Sequence, residues 1–231
     1  MPEYQVLVVD VGGSHVKALL SGETERRRFE SGPNLTAEEM ATGVLRIVEG
    51  WAFDRVSVGI PTPVRGGKPV AEPVNLGDGW VGFDYEGAFG VPTQVVNDAV
   101  MQAIGSYEGG RMLFLGLGTG LGSALIVEGV VEPLELGHLP YKKKTFEDYV
   151  SEAALGERGK KKWRKDVFDV VERLAAATEP DYVVIGGGGV DKLDELPANC
   201  RRGDNRDAFL GGFRLWDDEW KAASGAPPAA R

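Results

Sequence analysis

The chain has a single cysteine, Cys200, among 231 residues. That excludes an internal disulfide framework and any multi-cysteine metal site, and it agrees with a reducing compartment. Long apolar runs are missing too. No stretch approaches the roughly 20 apolar residues of a membrane span, and the opening residues, MPEYQVLVVDVGG, lack the basic region and cleavage site of a signal peptide. A cytoplasmic location is expected, with no membrane partner. An excess of positive charge is also absent: the net charge is −9, which makes the chain as a whole a poor nonspecific binder of nucleic acid, although local patches can still bind anions.

What the chain does contain is enough apolar residues, 42%, for one large domain or two small lobes. The segment FLGLGTGLGSALI (114–126) is flanked by β-formers, yet it places Gly116, Gly118, Gly120 and Gly122 on alternate positions. Glycine weakens a strand through backbone entropy and a missing side chain, so four together imply that something approaches the backbone closely. Near the start, LVVDVGGSHVKALL follows the same order: a buried strand, a Gly and hydroxyl turn (Gly12, Gly13, Ser14 against Gly118, Thr119, Gly120), then a second strand. This self-similarity points to an internal duplication and to two lobes of related fold.

Between and after these turns the pattern alternates. Residues 36–50 open with T-A-E-E, a capping-box start, and carry Met40, Val44, Ile47 and Val48 at helical spacing. A strand is expected over 55–60, a turn-rich excursion over 61–82, a strand over 93–97 and a helix over 99–107. Residues 160–178 place Trp163, Val167, Val170, Val171, Leu174 and Thr178 on one face of a helix. A buried strand over 181–185 ends in Gly186, Gly187, Gly188 and Gly189. Phe209, Gly212, Phe213 and Trp216 mark a closing helix. The class is α/β.

Two matching glycine turns that face one another across a cleft would form an anion-binding site from backbone N–H groups and the hydroxyls of Ser14 and Thr119. Glycine would supply both the close approach and positive φ values; the alternative is a pair of ordinary tight hairpins. Asp10 ends the first strand, where a carboxylate can hold Mg²⁺ or a water near a phosphoryl group, or merely cap the turn. Lys17 fits phosphate contact and a solvated face equally well. Asn97 and Asp98 begin a helix, so either is an N-cap candidate, while a carboxylate there could also take a proton from a substrate hydroxyl. Glu135 and His138, in LELGH, can hydrogen-bond several sugar hydroxyls, although a lone histidine is more often structural or on the surface. With no cysteine near His138, a zinc site has little support. His15 reads as structural.

DVGGSHVK, GIPTPV, VNDAVM, LGLGTGLGSAL, LELGH and VIGGGG occur in the order and approximate spacing of the ROK sugar kinases, within the two-lobed actin-like, ribonuclease H-like duplicated fold. The chain resembles that family over residues 5–216, and among its members it is most similar to the polyphosphate glucokinases. The resemblance implies a first lobe over 1–98, completed by a helix over 205–217, and a second lobe over 99–204; the acidic, then small and Pro-rich composition after Trp216 makes 218–231 a disordered tail. It makes Asp98 the catalytic base. Asp10, Gly12, Gly13, Ser14 and Lys17 match the first phosphate loop, and Gly118, Thr119, Gly120 and Gly122 the second. Asn75, Asn97, Asp98, Glu135, His138 and Glu147 match sugar-contacting positions, and Gly186, Gly187, Gly188 and Gly189 the loop near the nucleoside of ATP.

LPYKKKTFEDY follows His138 in place of the family's cysteine cluster, so zinc is not expected. With the first strand starting at residue 4, no helix-turn-helix regulator and no nucleic-acid partner are expected. Residues 142–165 carry nine Lys or Arg against four acids. Lys160, Lys161 and Lys162 open a helix, the end where the macrodipole disfavours cations, and a bound polyanion would offset that; a solvated lysine face is the alternative. The implied activity is phosphoryl transfer, with Mg²⁺, from polyphosphate or ATP to the 6-hydroxyl of glucose or a related hexose, by a homodimer. The alternatives are a noncatalytic sugar-binding regulator and a kinase for another sugar, such as mannose or an N-acetylhexosamine.

Overall fold

The computed structural model describes residues 4–204, 206–218 and 220. Strands β1 (Val6–Val11), β2 (His15–Leu20) and β3 (Arg27–Glu30) form an antiparallel run. Helix α1 (Ala37–Ile47) starts at the expected capping box: Glu39 N donates to Thr36 Oγ1 at 3.2 Å and Thr36 N donates to Glu39 Oε2 at 3.0 Å. Strand β4 (Arg55–Ile60) then pairs parallel with β1. The turn-rich excursion holds a small hairpin, β5 (Val64–Arg65) and β6 (Lys68–Pro69), and leads to helix α2 (Tyr85–Phe89). Strand β7 (Thr93–Asn97) completes a sheet of order β3-β2-β1-β4-β7.

Helix α3 (Asp98–Ser106) opens the second half. Strands β8 (Arg111–Leu117), β9 (Leu121–Val127) and β10 (Val130–Leu134) form another antiparallel run. A two-stranded hairpin, β11 (Pro140–Tyr141) and β12 (Lys144–Thr145), precedes helices α4 (Glu147–Val150), α5 (Glu152–Arg158) and α6 (Lys160–Thr178). Strands β13 (Tyr182–Gly186) and β14 (Cys200–Arg202) then add in parallel, giving the order β10-β9-β8-β13-β14. Strand for strand, the two sheets share one plan: three antiparallel strands, then two parallel. The duplication legible in two glycine turns extends to whole sheets.

Alternation along the central strands builds the layers, because successive side chains leave opposite faces. Leu7, Val9 and Val11 pack with α1, whereas Val6 and Val8 pack with Met101, Ala208, Phe209 and Trp216 on the other face. In the second sheet Leu113, Leu115 and Leu117 meet Trp163, Val167 and Leu174 of α6, while Met112 and Phe114 meet Ala99, Val100 and Ala103 of α3. Helix α3 therefore bears on both sheets. The closing helix α7 (Asp207–Arg214) crosses it closely: a Cβ placed on Gly105 would fall 1.8 Å from Asp207 O, and one on Gly211 would fall 1.8 Å from Met101 O. Only glycine fits either position.

Of the tail expected to be disordered, Asp218 and Trp220 are ordered instead, the Trp220 ring lying edge-on to Tyr107 with centroids 5.6 Å apart, and residues 219 and 221–231 lie outside the described residues. Among the described residues no helix is long and apolar enough to cross a membrane.

Candidate active site

The two glycine turns connect β1 to β2 and β8 to β9, and they face one another. A Cβ placed on Gly13 would sit 4.0 Å from Thr119 Oγ1 and 3.9 Å from the Cβ of Asn75. Each turn is closed by one short bond, Gly12 N donating to His15 O at 3.0 Å and Gly118 N donating to Gly120 O at 3.1 Å. The amides of Gly13, Ser14, Thr119 and Gly120 have no acceptor among the described residues, so they remain available to an anion.

The expectation that these glycines adopt positive φ is not met: none of Gly12, Gly13, Gly118, Gly120 or Gly122 does so. Their lack of a side chain is used for proximity instead. A Cβ on Gly122 would lie 2.6 Å from the Cβ of Ala99, and one on Gly120 would lie 2.8 Å from Glu147 Oε2. Gly118 faces open space.

Asp98 is the first residue of α3, and Asn97, not Asp98, is the N-cap. Asn97 Oδ1 accepts from Ala99 N at 3.0 Å and Val100 N at 3.2 Å, and its Nδ2 donates to Thr62 O at 3.2 Å. With the cap supplied by Asn97, Asp98 keeps only the 2.8 Å bond from Ala99 N to its Oδ1. Burial and the charge of Asp10 push the Asp98 carboxyl from the ordinary 3.8 to about 7, with a smaller contribution from Glu135 and against the pull of the Ala99 amide and its own. Gly59 on β4 makes room for this helix start, since a Cβ there would meet Met101 Cε at 2.4 Å.

Asp10 is 7% exposed at the end of β1 and sits opposite Lys17 in the β1/β2 register. Lys17 Nζ donates to Asp10 Oδ2 at 3.0 Å, so the lysine expected near phosphate is paired with the aspartate in this structure. For Mg²⁺ the donor set fits a loosely held ion: Asp10 Oδ1 has no hydrogen-bond partner among the described residues, and a magnesium bound through one carboxylate, waters and substrate phosphates is the usual arrangement in phosphoryl-transfer sites. Among the described residues there is no group of three or more metal-ligating side chains.

The ELGH turn closes the other side. Glu135 precedes a 3-10 turn, Leu136–His138, that follows β10. His138 lies 3.8 Å from Glu135 Oε2 through Nε2 and 3.4 Å from Glu147 Oε1 through Nδ1. Glu147 thus joins the cluster, its Oε2 lodged near both Gly120 and Gly137; the β11–β12 hairpin folds the intervening residues back and delivers it there. Burial pushes the Glu135 carboxyl up, His138 pulls it down, and the charge of Glu147 adds to the rise.

The glycine run after β13 lies beside the second turn. Gly187, at φ +78°, packs on the backbone of Leu117, where a Cβ would fall 2.3 Å from its carbonyl oxygen, and Gly189 packs on the Leu117 side chain. Only Gly188 of the four faces open space. The basic segment divides. Lys142 and Arg158 both pair with the buried Asp166, Lys160 with Asp194 at 2.8 Å, and Arg164 with Glu195 at 3.3 Å. Lys161 and Lys162 are exposed and have no partner among the described residues. The Lys160 pair offsets part of the macrodipole penalty expected at the start of α6.

Sequence reasoning missed two anchors of the turns. Ser31 Oγ donates to Gly12 O at 2.6 Å and Ser31 N donates to Ser14 O at 3.0 Å. Glu152 N, at the start of α5, donates to Gly118 O at 2.8 Å. A serine after a strand and a helix-start glutamate have no distinguishing pattern in one sequence.

No family model matches the chain. It is 27% identical over 210 residues to the polyphosphate glucokinase of Mycobacterium tuberculosis (strain ATCC 25618 / H37Rv), across 81% of this chain and 78% of that protein. Its structure is similar to the inorganic polyphosphate/ATP-glucomannokinase of Arthrobacter sp. strain KM, with TM-score 0.80, 23% identity, and coverage of 92% of this chain and 98% of the other. It is also similar to a ROK family glucokinase from Streptomyces griseus solved with glucose and AMPPNP, with TM-score 0.74, 18% identity, and coverage of 91% and 98%. The fold is the two-lobed, actin-like fold of the ROK sugar kinases. In sequence, the chain's relatives include proteins named polyphosphate glucokinase, the group that its motifs resemble.

Proposed function

We propose that this protein is a sugar kinase that moves a terminal phosphoryl group from polyphosphate or ATP to the 6-hydroxyl of glucose or a related hexose. The observation that carries the proposal is Asp98: a carboxyl at a helix start, close enough to Asp10 beside the first turn to feel its charge and next to Ala99, which packs on Gly122 just after the second turn, and raised to about 7, a value that suits a general base at neutral pH. The sugar would lie against Asn75, Glu135, His138 and Glu147, with its 6-hydroxyl toward Asp98. Asp98 takes the hydroxyl proton as the oxygen attacks the terminal phosphorus. The amides of Gly13, Ser14, Thr119 and Gly120 hold the donor oxygens in line and receive the charge that moves onto them. Asn97, held by α3 and Thr62 O, keeps one amide hydrogen for a substrate oxygen and fixes the helix start.

Asp10 would hold Mg²⁺, directly or through water, and a bound Mg²⁺ would neutralise donor phosphate charge. In this reading the first lobe is 1–98 with the closing helix, the second is 99–204, and their approach excludes water, which otherwise competes as acceptor. The enzyme would work as a cytoplasmic homodimer without zinc. The unpaired Lys161 and Lys162 favour a polyanionic donor, and the open Gly188 leaves room for a nucleoside.

Asp98→Asn tests the assignment: kcat should fall by about 10²–10⁴-fold while calorimetry shows sugar binding retained, and an active Asp98→Asn enzyme would remove the mechanism. A panel of polyphosphate and ATP against glucose, mannose and N-acetylhexosamines identifies donor and acceptor. Sugar binding with no transfer from either donor would favour the noncatalytic reading.

A further inference from the structure

The two phosphate turns are duplicated, but what holds them is not. In the second turn the Gly118 carbonyl is taken by a main-chain amide, Glu152 N at 2.8 Å. In the first, the equivalent Gly12 carbonyl is taken by a side chain, Ser31 Oγ at 2.6 Å, and the same residue's N–H takes Ser14 O at 3.0 Å. Ser31 thus grips the turn on both sides of Gly13. The chain has no cis peptide among the described residues, and in a trans peptide the C=O and the following N–H point in opposite directions. Fixing Gly12 O toward Ser31 therefore fixes the Gly13 N–H away from it. Thr119 and Asn75 both lie within about 4 Å of a Cβ position on Gly13, which places that residue on the cleft.

The geometry points to Ser31 as a positioning residue for phosphoryl-donor binding, acting through the Gly12 carbonyl on the Gly13 amide. It touches neither reactant, and the inference rests on the kinase reading above. Without the hydroxyl, the Gly12–Gly13 peptide loses its grip and the amide is no longer held ready for a phosphate oxygen. The proposed sugar contacts at Glu135, His138 and Glu147 belong to the other sheet's half, and Asn75, whose Cβ lies 3.9 Å from the Cβ position on Gly13, shares no hydrogen bond with the turn among the described residues, so donor binding is the property that depends on Ser31.

The test is the kinetics of Ser31→Ala beside Ser31→Thr, which keeps the hydroxyl. For Ser31→Ala the donor KM should rise about 3- to 10-fold, the range set by loss of one net hydrogen bond, with sugar KM unchanged; Ser31→Thr should recover most of the loss. Should Ser31→Ala fold poorly, Ser31→Thr is compared with its near-isostere Ser31→Val, and the same split is expected between them. An unchanged donor KM, an equal rise for sugar and donor, or no difference between the hydroxyl and non-hydroxyl variants would overturn the inference. Calorimetric binding of magnesium tripolyphosphate to the same proteins reads the inference without turnover. Wild-type binding that weakens in Ser31→Ala, with no phosphoryl transfer, would sink the kinase reading and leave the role of Ser31 standing.

Discussion

Asp98→Asn should stabilise the protein at alkaline pH while silencing it. In the folded chain the carboxyl is raised from 3.8 to about 7 by burial and by Asp10, so ionising it costs more than in the unfolded chain. Below pH 3.8 both states are protonated and there is no penalty. Between 3.8 and 7 the unfolded state releases the proton and the folded state keeps it, so wild-type stability falls as pH rises, and above 7 the penalty is complete. At about 1.36 kcal/mol per pKa unit, the rise corresponds to a ceiling of about 4 kcal/mol. Relaxation and water entry bring the expected measured gain to about 1–2 kcal/mol. Asparagine keeps an oxygen for the Ala99 N–H, so the local hydrogen bond survives. Urea unfolding of both proteins at pH 4.5, 6 and 8 checks it: the variant's advantage should grow with pH. A difference that stays flat across that range, or shrinks as pH rises, would refute the reasoning.

The same carboxyl predicts that kcat/KM for sugar climbs about tenfold per pH unit below 7 and levels off above it; a profile flat down to pH 5 would count against Asp98 as the base. Gly122→Ala should cost about 1–3 kcal/mol in denaturant unfolding, because its Cβ would fall 2.6 Å from Ala99 Cβ, whereas Gly118→Ala, in open space, should leave stability unchanged and raise the donor KM. Lys161→Glu combined with Lys162→Glu should raise the KM for polyphosphate several-fold, more at low salt than at high, and leave that for ATP alone; equal effects on both donors would assign these lysines to the solvated surface.

Much of this arrangement is legible in the sequence because it rests on local signals. The T-A-E-E start gives α1, the β-branched run gives β4, and the repeated strand, glycine turn and strand gives both the duplication and the class. Asp98 reads ambiguously until Asn97 is seen to supply the cap, which depends on Thr62 arriving from β4's far end. Glu147 is obscured in a different way: its place beside His138 depends on a two-residue hairpin too short to announce itself by periodicity. The positive φ expected at the glycine turns fails because glycine permits that conformation without requiring it; here the missing side chain makes room for Ala99 and Glu147. Pairing of Asp10 with Lys17 is implicit in the hairpin register, seven residues across one turn. Ser31 leaves no trace, since its partner is a carbonyl nineteen residues away.

The unlike anchoring of the two turns has a consequence for variation. Any substitution at residue 31 that removes the hydroxyl alters the first turn, so that half of the site is open to tuning one nucleotide change at a time. The second turn is held by a main-chain N–H at residue 152, which nineteen of the twenty amino acids supply equally; proline alone removes it, and proline is welcome at that helix position. Mutational drift therefore falls unevenly on the two copies, and a library randomised at both positions should return weakened donor binding from one and near silence from the other.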